Sequence, residues 1–153
     1  MIRRIQLAVL VAFMSLLCAR TAMAEPDGLV IDAMIELLDF TEYQGGNLLP
    51  EQIPAADYSN LFVVDVRRPE DFAHDHIPGA VHIEWRQLVA RRTELPRDKT
   101  VLVYCNTGSL SAQGAFALKL SGYDNVKVLT GGYDSWKAKG GLAANERAAN
   151  PRL

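Results

Sequence analysis

Cysteine is scarce in this chain, which has only Cys18 and Cys105 among its 153 residues. Cys18 lies in an N-terminal segment that we expect to be removed, so the mature protein would keep a single thiol. A single thiol excludes an internal disulfide. In an oxidising compartment an unpaired thiol is a hazard unless it has a use, so we expect Cys105 to be reactive or to pair with another molecule.

An excess of positive charge is also absent. The 16 basic and 18 acidic side chains give a formal net charge of −2. Removal of residues 1–24 takes away Arg3, Arg4 and Arg20 but no acid, which leaves 13 basic against 18 acidic residues, or −5. This mildly acidic balance argues against nucleic acid and anionic membrane surfaces as partners. The mature chain is long enough for one domain and too short for two.

The apolar run from Leu7 to Cys18 is too short for a confident membrane span. It follows Arg3 and Arg4 and precedes a small-x-small cleavage site at residues 22–24. This order is typical of a secretory signal peptide over residues 1–24. We therefore expect a periplasmic or secreted protein with no stable membrane association after cleavage.

Two alternatives remain open for the N-terminus. The segment could stay attached as an uncleaved anchor. Cys18 could also mark a lipoprotein, but Leu17 precedes it where a small residue would be needed. Cleavage after Ala24 is the better prediction.

The mature chain divides into three parts. Residues 25–46 are predicted to form an amphipathic helical extension, because their apolar residues recur at helical spacing. We expect that helix to pack on the flank of the domain rather than on a membrane or partner. Residues 47–140 form the domain, and the polar, Ala-rich residues 141–153 are predicted to be a frayed tail.

Strand and helix patterns alternate along the domain. Strands are predicted at Leu61–Val66, Val81–Ile83, Val101–Tyr104 and Val126–Leu129. Helices are predicted from Pro69, over Trp85–Arg92, over Ala112–Leu120 and around Trp136. This alternation predicts an α/β fold with a mostly parallel sheet that is covered by helices on both faces.

Cys105 lies where a buried strand meets a loop of small residues and a helix start. Free backbone N–H groups at that place stabilise an anion. The helix dipole contributes about 0.3–1 kcal/mol, and one pKa unit corresponds to about 1.4 kcal/mol, so the dipole alone lowers the thiol pKa by about one unit. Direct N–H hydrogen bonds would lower it further. The alternative is an inert, buried structural cysteine.

Five segments together resemble, in order, the signatures of a rhodanese (sulfurtransferase) domain. They are Val64–Glu70 with Phe72, His76–Val81, Val103–Gly108 with Ser111, Gly122–Val126, and Leu129–Gly132 with Trp136. The resemblance covers roughly residues 48–140 and implies the three-layer rhodanese-like fold.

The resemblance also implies a mechanism. The Cys105 thiolate would attack the outer sulfur of a donor such as thiosulfate, keep that sulfur as a persulfide, and pass it to cyanide or a thiol. The persulfide would be cradled by the loop residues Asn106, Thr107, Gly108, Ser109, Leu110 and Ser111. No metal or organic cofactor is implied. The expected partners are a small-molecule sulfur donor and a thiol acceptor, which a redox protein could supply, and we expect a monomer.

The sequence departs from the family pattern at Leu110, where many members carry Arg or another polar residue. Leu110 supplies neither charge nor hydrogen bond to thiosulfate. Arg67 and Arg68 would compensate if they reach the rim of the site, so Arg67 is a candidate substrate-binding residue. The alternative for Arg67 is a structural ion pair within the fold. A second, minor departure is Asp75, where Gly often precedes the histidine.

Two other functions and a metal site are the alternatives to sulfur transfer. A non-catalytic rhodanese-fold binding or sulfur-carrier module is favoured by Leu110, but a mere binding module would gain nothing from a lone exposed thiol. A cysteine phosphatase needs an arginine where Ser111 stands. A metal site is disfavoured because His74, His76 and His82 lack partners at ligand spacing, and a hydrogen-bonded role for His76 is preferred.

Overall fold

The computed structural model describes residues 27–43 and 45–143. The predicted signal peptide and all but the first three residues of the predicted tail lie outside these residues. Contacts divide the chain into one unit that ends at Met34 and a second that begins at Ile35. The described part of the first unit is Asp27 and the beginning of a helix. Within the described residues, no helix has both the length and the apolar character that crossing a bilayer requires.

Four α-helices and five strands lie wholly within the described residues, and residues 141–143 begin a further helical segment. The helices are α1 (Gly28–Asp39), α2 (Pro69–His74), α3 (Ser109–Leu120) and α4 (Gly132–Ala138). The strands are β1 (Asn47–Leu48), β2 (Phe62–Asp65), β3 (Val81–His82), β4 (Val101–Tyr104) and β5 (Val126–Leu129). Short 3-10 helices cover Pro50–Gln52, Ala55–Asn60, Trp85–Gln87 and Arg92–Glu94. The four predicted strands are all present, within one or two residues of their predicted ends.

The single helix predicted over Trp85–Arg92 is wrong. Two 3-10 helices separated by a turn take its place. Only Leu88 is buried within residues 85–92, so too little apolar surface is covered to repay the ordering of a longer helix. Glu84 further favours the tight first turn, because its side chain accepts a hydrogen bond from the Arg86 N–H.

The sheet confirms the predicted α/β class. Its five strands run in the order β1-β5-β4-β2-β3, and every neighbouring pair is parallel. β4 lies in the middle, and all four of its residues are buried. In parallel α/β sheets, ligands bind beyond the carboxyl ends of the strands. The chain therefore delivers Cys105 to the centre of the edge where a site is expected.

Alternation along the strands produces two cores. Successive side chains of β4 point to opposite faces, so Val101 and Val103 join one cluster while Leu102 and Tyr104 join the other. The first cluster includes Ala115 and Leu118 of α3, and the second includes residues of α4. Helices thus cover both faces of the sheet, as predicted. Trp136 is buried in the second core.

Candidate functional site at the end of the central strand

Cys105 follows β4 directly, and its side chain is 3% exposed. The chain then makes a sharp loop that ends at Gly108, whose φ of +101° lies in the left-handed region that favours glycine. This turn points the Gly108 N–H back at the cysteine, 3.2 Å from Sγ. The Ser111 hydroxyl lies 3.6 Å from the same sulfur. The predicted loop of small residues therefore surrounds the sulfur atom with hydrogen-bond donors.

These donors decide the ionisation of the thiol. Burial by itself would raise the pKa of Cys105, because an apolar environment disfavours the thiolate. Hydrogen bonds from the Ser111 N–H and hydroxyl, and from the N–H groups of Gly108 and Thr107, act in the opposite direction and prevail. The pKa of Cys105 is consequently lowered from its ordinary value, and the cysteine has the electrostatics of a nucleophile.

A pH titration of alkylation tests this balance. The rate of Cys105 alkylation by iodoacetamide should follow the thiolate fraction, with a midpoint below that of a free cysteine thiol. Ser111→Ala removes one donor and should move the midpoint upward. Ser121→Ala is the matched control, because the Ser121 hydroxyl donates a hydrogen bond to the Ala117 carbonyl at the far end of α3. A wild-type midpoint at or above the free thiol value would show that the donors do not stabilise the anion.

The start of α4 supports the cysteine loop from behind. The Tyr133 N–H donates to the Cys105 carbonyl at 2.8 Å, and the Asp134 N–H donates to the Asn106 carbonyl at 3.0 Å. Gly132 makes this approach possible, because a Cβ there would lie 2.3 Å from the Cys105 oxygen. These bonds hold the loop carbonyls away from the sulfur. The sequence showed the Gly131-Gly132 pair but not this contact, so Gly132 was missed as a supporting residue.

A cavity of about 490 Å³ opens in front of the cysteine loop. Its lining residues are Arg67, Arg68, Asp71, Cys105, Asn106, Thr107 and Leu110. Leu110, 37% exposed, lies at the mouth of this cavity. Of the predicted site residues, Gly108 and Ser111 contact the sulfur, whereas Ser109 is exposed and does not line the cavity. Asp71 was not predicted, and only its position one turn after Arg67–Arg68 could have indicated it.

Arg67 lines the cavity, but Asp65 engages most of its guanidinium. Nε lies 3.0 Å from both carboxylate oxygens, and Nη2 lies 2.7 Å from Oδ2. Nη2 also donates to the Asp75 carbonyl, and Nη1 lies 3.4 Å from Oδ1 of Asn106. The alternative of a structural ion pair is therefore what the geometry shows. Burial alone would lower the pKa of Arg67, but hydrogen bonding and attraction from Asp65 raise it overall.

Asp65 is fully buried and fully engaged. Besides the guanidinium, its carboxylate accepts the Arg67 main-chain N–H at 2.9 Å. These hydrogen bonds, rather than acid catalysis, explain the buried aspartate on β2.

Two of the three histidines, His76 and His82, have structural partners. His76 donates from Nδ1 to the Phe72 carbonyl at 2.9 Å and stacks on the Phe72 ring. His82 donates from Nε2 to the Arg67 carbonyl at 2.9 Å. The hydrogen-bonded role predicted for His76 is confirmed. Across residues 27–43 and 45–143, no three His, Cys, Asp or Glu side chains are grouped to hold a metal ion.

The amino-acid sequence is similar to a known protein family and to individual proteins. Residues 49–139 match the family described as the rhodanese-like domain. A sulfurtransferase of Allochromatium vinosum is 34% identical over 85 residues, which cover 56% of this chain and 79% of that protein. The thiosulfate sulfurtransferase GlpE of Pseudomonas syringae is 33% identical over 88 residues, which cover 58% of this chain and 83% of that protein.

Solved structures show the same similarity. A rhodanese-related protein from Thermoplasma volcanium superposes with a TM-score of 0.58 at 26% identity, over 63% of this chain and 94% of that one. A protein from Lactobacillus plantarum superposes with a TM-score of 0.56 at 30% identity, over 70% of this chain and 92% of that one.

Proposed function

The chain belongs to the rhodanese-like domain family, and from that membership we propose that it is a sulfurtransferase that carries a sulfur atom on Cys105. One observation supports the assignment of the nucleophile above all others. Sγ of Cys105 lies at the carboxyl end of the central strand, accepts the Gly108 N–H at 3.2 Å, and borders a cavity. The sulfur is thus both ionisable and next to space for a donor.

In the first step, the Cys105 thiolate attacks the outer sulfur of a sulfane donor. With thiosulfate, the donor S–S bond breaks, its electron pair leaves with sulfite, and a new S–S bond forms on Cys105. The negative charge moves from Sγ to the outer sulfur of the new persulfide. The N–H groups of the loop that lower the thiol pKa also stabilise this charge, because they already point into the turn.

In the second step, a nucleophile takes the outer sulfur. Cyanide or a thiolate attacks it, the persulfide S–S bond breaks, and Cys105 regains its thiolate with the electron pair of that bond. The two half-reactions make a ping-pong cycle. They need no metal or organic cofactor, since the nucleophile, the anion-stabilising groups and the leaving group are all accounted for.

A mass measurement tests the proposal. After incubation with thiosulfate or an organic thiosulfonate and removal of excess donor, the intact protein should be heavier by one sulfur atom. Peptide mapping should locate that atom on Cys105. Addition of cyanide should remove it and release one equivalent of thiocyanate. If no sulfane donor adds a sulfur to the protein, it is not a sulfurtransferase.

A sulfur-carrier or binding module is the second candidate. Leu110 favours it, because this exposed residue offers the donor neither charge nor hydrogen bond. The same experiment distinguishes a sulfur carrier from an enzyme. A persulfide that forms but does not turn over with cyanide or thiols would indicate carriage, whereas repeated turnover indicates the enzyme.

The proposal also covers the location and the partners of the protein. We propose that the protein acts outside the cytoplasm as a monomer, with a small-molecule donor and a thiol acceptor that a redox protein could supply. Its acidic balance of charge makes nucleic acid an unsuitable partner. Fractionation of cells that express the full chain, followed by N-terminal sequencing, tests cleavage after Ala24.

A further inference from the structure

We propose that the donor is an organic sulfane compound, a persulfide or thiosulfonate with at most one negative charge on its reacting group, rather than the thiosulfate dianion. This inference rests on the proposed function and adds the substrate class. It follows from the charges and the apolar surface that face the donor in the cavity at Cys105.

The positive charge in this cavity is small. Arg67 carries a full charge, but Asp65 neutralises it at 2.7–3.0 Å. Its guanidinium also donates to the Asp75 carbonyl and lies 3.4 Å from Oδ1 of Asn106. Arg68 is exposed and lines the cavity. Within the described part of the chain, it forms no ion pair. Arg68 is therefore the one cation there that an anionic donor could bind.

Negative charge at the same cavity outweighs Arg68. The Asp71 carboxylate lines the cavity, and the reactive Cys105 thiolate adds a second negative charge. Asn106 and Thr107 contribute neutral polar side chains. The N–H groups of Thr107, Gly108 and Ser111 hydrogen-bond to the cysteine sulfur. These side-chain charges repel a dianion more strongly than a monoanion, so the loss of one charge from the donor favours its entry.

Leu110 supplies the second, independent observation. This residue is 37% exposed and lines the same cavity as Cys105. An apolar surface there favours a carbon substituent over a sulfonate oxygen, because an oxyanion in contact with leucine loses water without gaining a hydrogen bond. The charge and the apolar contact thus select the same class of donor.

The chemistry of such a donor balances without another reagent. With an organic persulfide R–S–SH, the Cys105 thiolate attacks the outer sulfur, a new S–S bond forms on Cys105, and the S–S bond of the donor breaks. R–S⁻ departs with the electron pair, and the proton stays on the transferred sulfur. With methanethiosulfonate, the same attack releases methanesulfinate and leaves an anionic persulfide on Cys105.

Methanethiosulfonate and thiosulfate form a matched pair of probes, since a methyl group replaces one oxygen and one charge is lost. In the wild-type protein, kcat/KM with cyanide as acceptor should be higher for methanethiosulfonate. The value for thiosulfate should rise with added salt, because salt screens the repulsion. Leu110→Arg should change the ratio of the two values at least about tenfold towards thiosulfate, as expected for a new charge-assisted hydrogen bond.

Leu110→Gln controls for the loss of apolar surface without a new charge. It should lower the methanethiosulfonate value and raise the thiosulfate value less than Leu110→Arg does, because its amide donates only a neutral hydrogen bond. The inference is overturned if the wild-type protein prefers thiosulfate, or if Leu110→Arg leaves the ratio unchanged. Failure of the proposed function is a different result, namely that neither donor leaves a sulfur atom on Cys105.

Discussion

Cys105→Ser should lower sulfur transfer by more than about a thousandfold, because a serine hydroxyl neither ionises near neutral pH nor forms a persulfide. The sulfur adduct should disappear from the mass spectrum at the same time. Thiocyanate production from thiosulfate and cyanide measures the first effect. Intact mass after donor exposure measures the second.

The substitution should leave the fold intact. Oxygen and sulfur occupy similar positions, and the Gly108 N–H that now points at Sγ can donate to a hydroxyl. Urea unfolding should therefore give nearly the same midpoint as the wild-type protein. Cys18→Ser is the matched control for the other thiol of the full chain, and it should retain both adduct and turnover. An adduct that persists in C105S would assign the chemistry to another nucleophile.

The centre of the site was predictable because its determinants are local. An apolar four-residue run predicts β4, and the small residues that follow predict a tight turn and a helix start. Gly108 supplies the left-handed turn, which places its N–H at the sulfur of a residue only three positions away. Local sequence sufficed here because the geometry depends on few residues that are adjacent in the chain.

The supporting contacts were less predictable because they join distant parts of the chain. Gly132 is 27 positions from Cys105, yet its missing Cβ lets the two backbones meet. Arg67 had two predicted roles, and its sequence context does not distinguish them. The choice depends on the distance between its guanidinium and Asp65, which the fold of the β2–α2 loop determines. The broken helix after Trp85 likewise reflects how little of that segment is buried.

Asp65→Asn should cost about 3–5 kcal/mol of unfolding free energy, the usual penalty for breaking a buried ion pair by removing one partner. Arg67 would remain buried, at 6% exposure, with no carboxylate to balance its charge. The loss should extend to the site, since the same guanidinium reaches Asn106 in the cysteine loop. Urea unfolding measures the stability, and the rate of persulfide formation measures the effect on the loop.

Glu94→Gln is the matched control, because it breaks an ion pair that has similar geometry but is exposed rather than buried. Its ion pair with Arg91 has the same 2.7 Å N–O distance, but both side chains are more than a third exposed. Water and salt screen that pair, so Glu94→Gln should cost only a small fraction of the Asp65→Asn value. The double variant Asp65→Asn with Arg67→Met should recover part of the loss, because it removes the uncompensated charge. Equal costs for the buried and the exposed pair would mean that Asp65 does not hold Arg67 in place, and the guanidinium would then be available to bind thiosulfate after all.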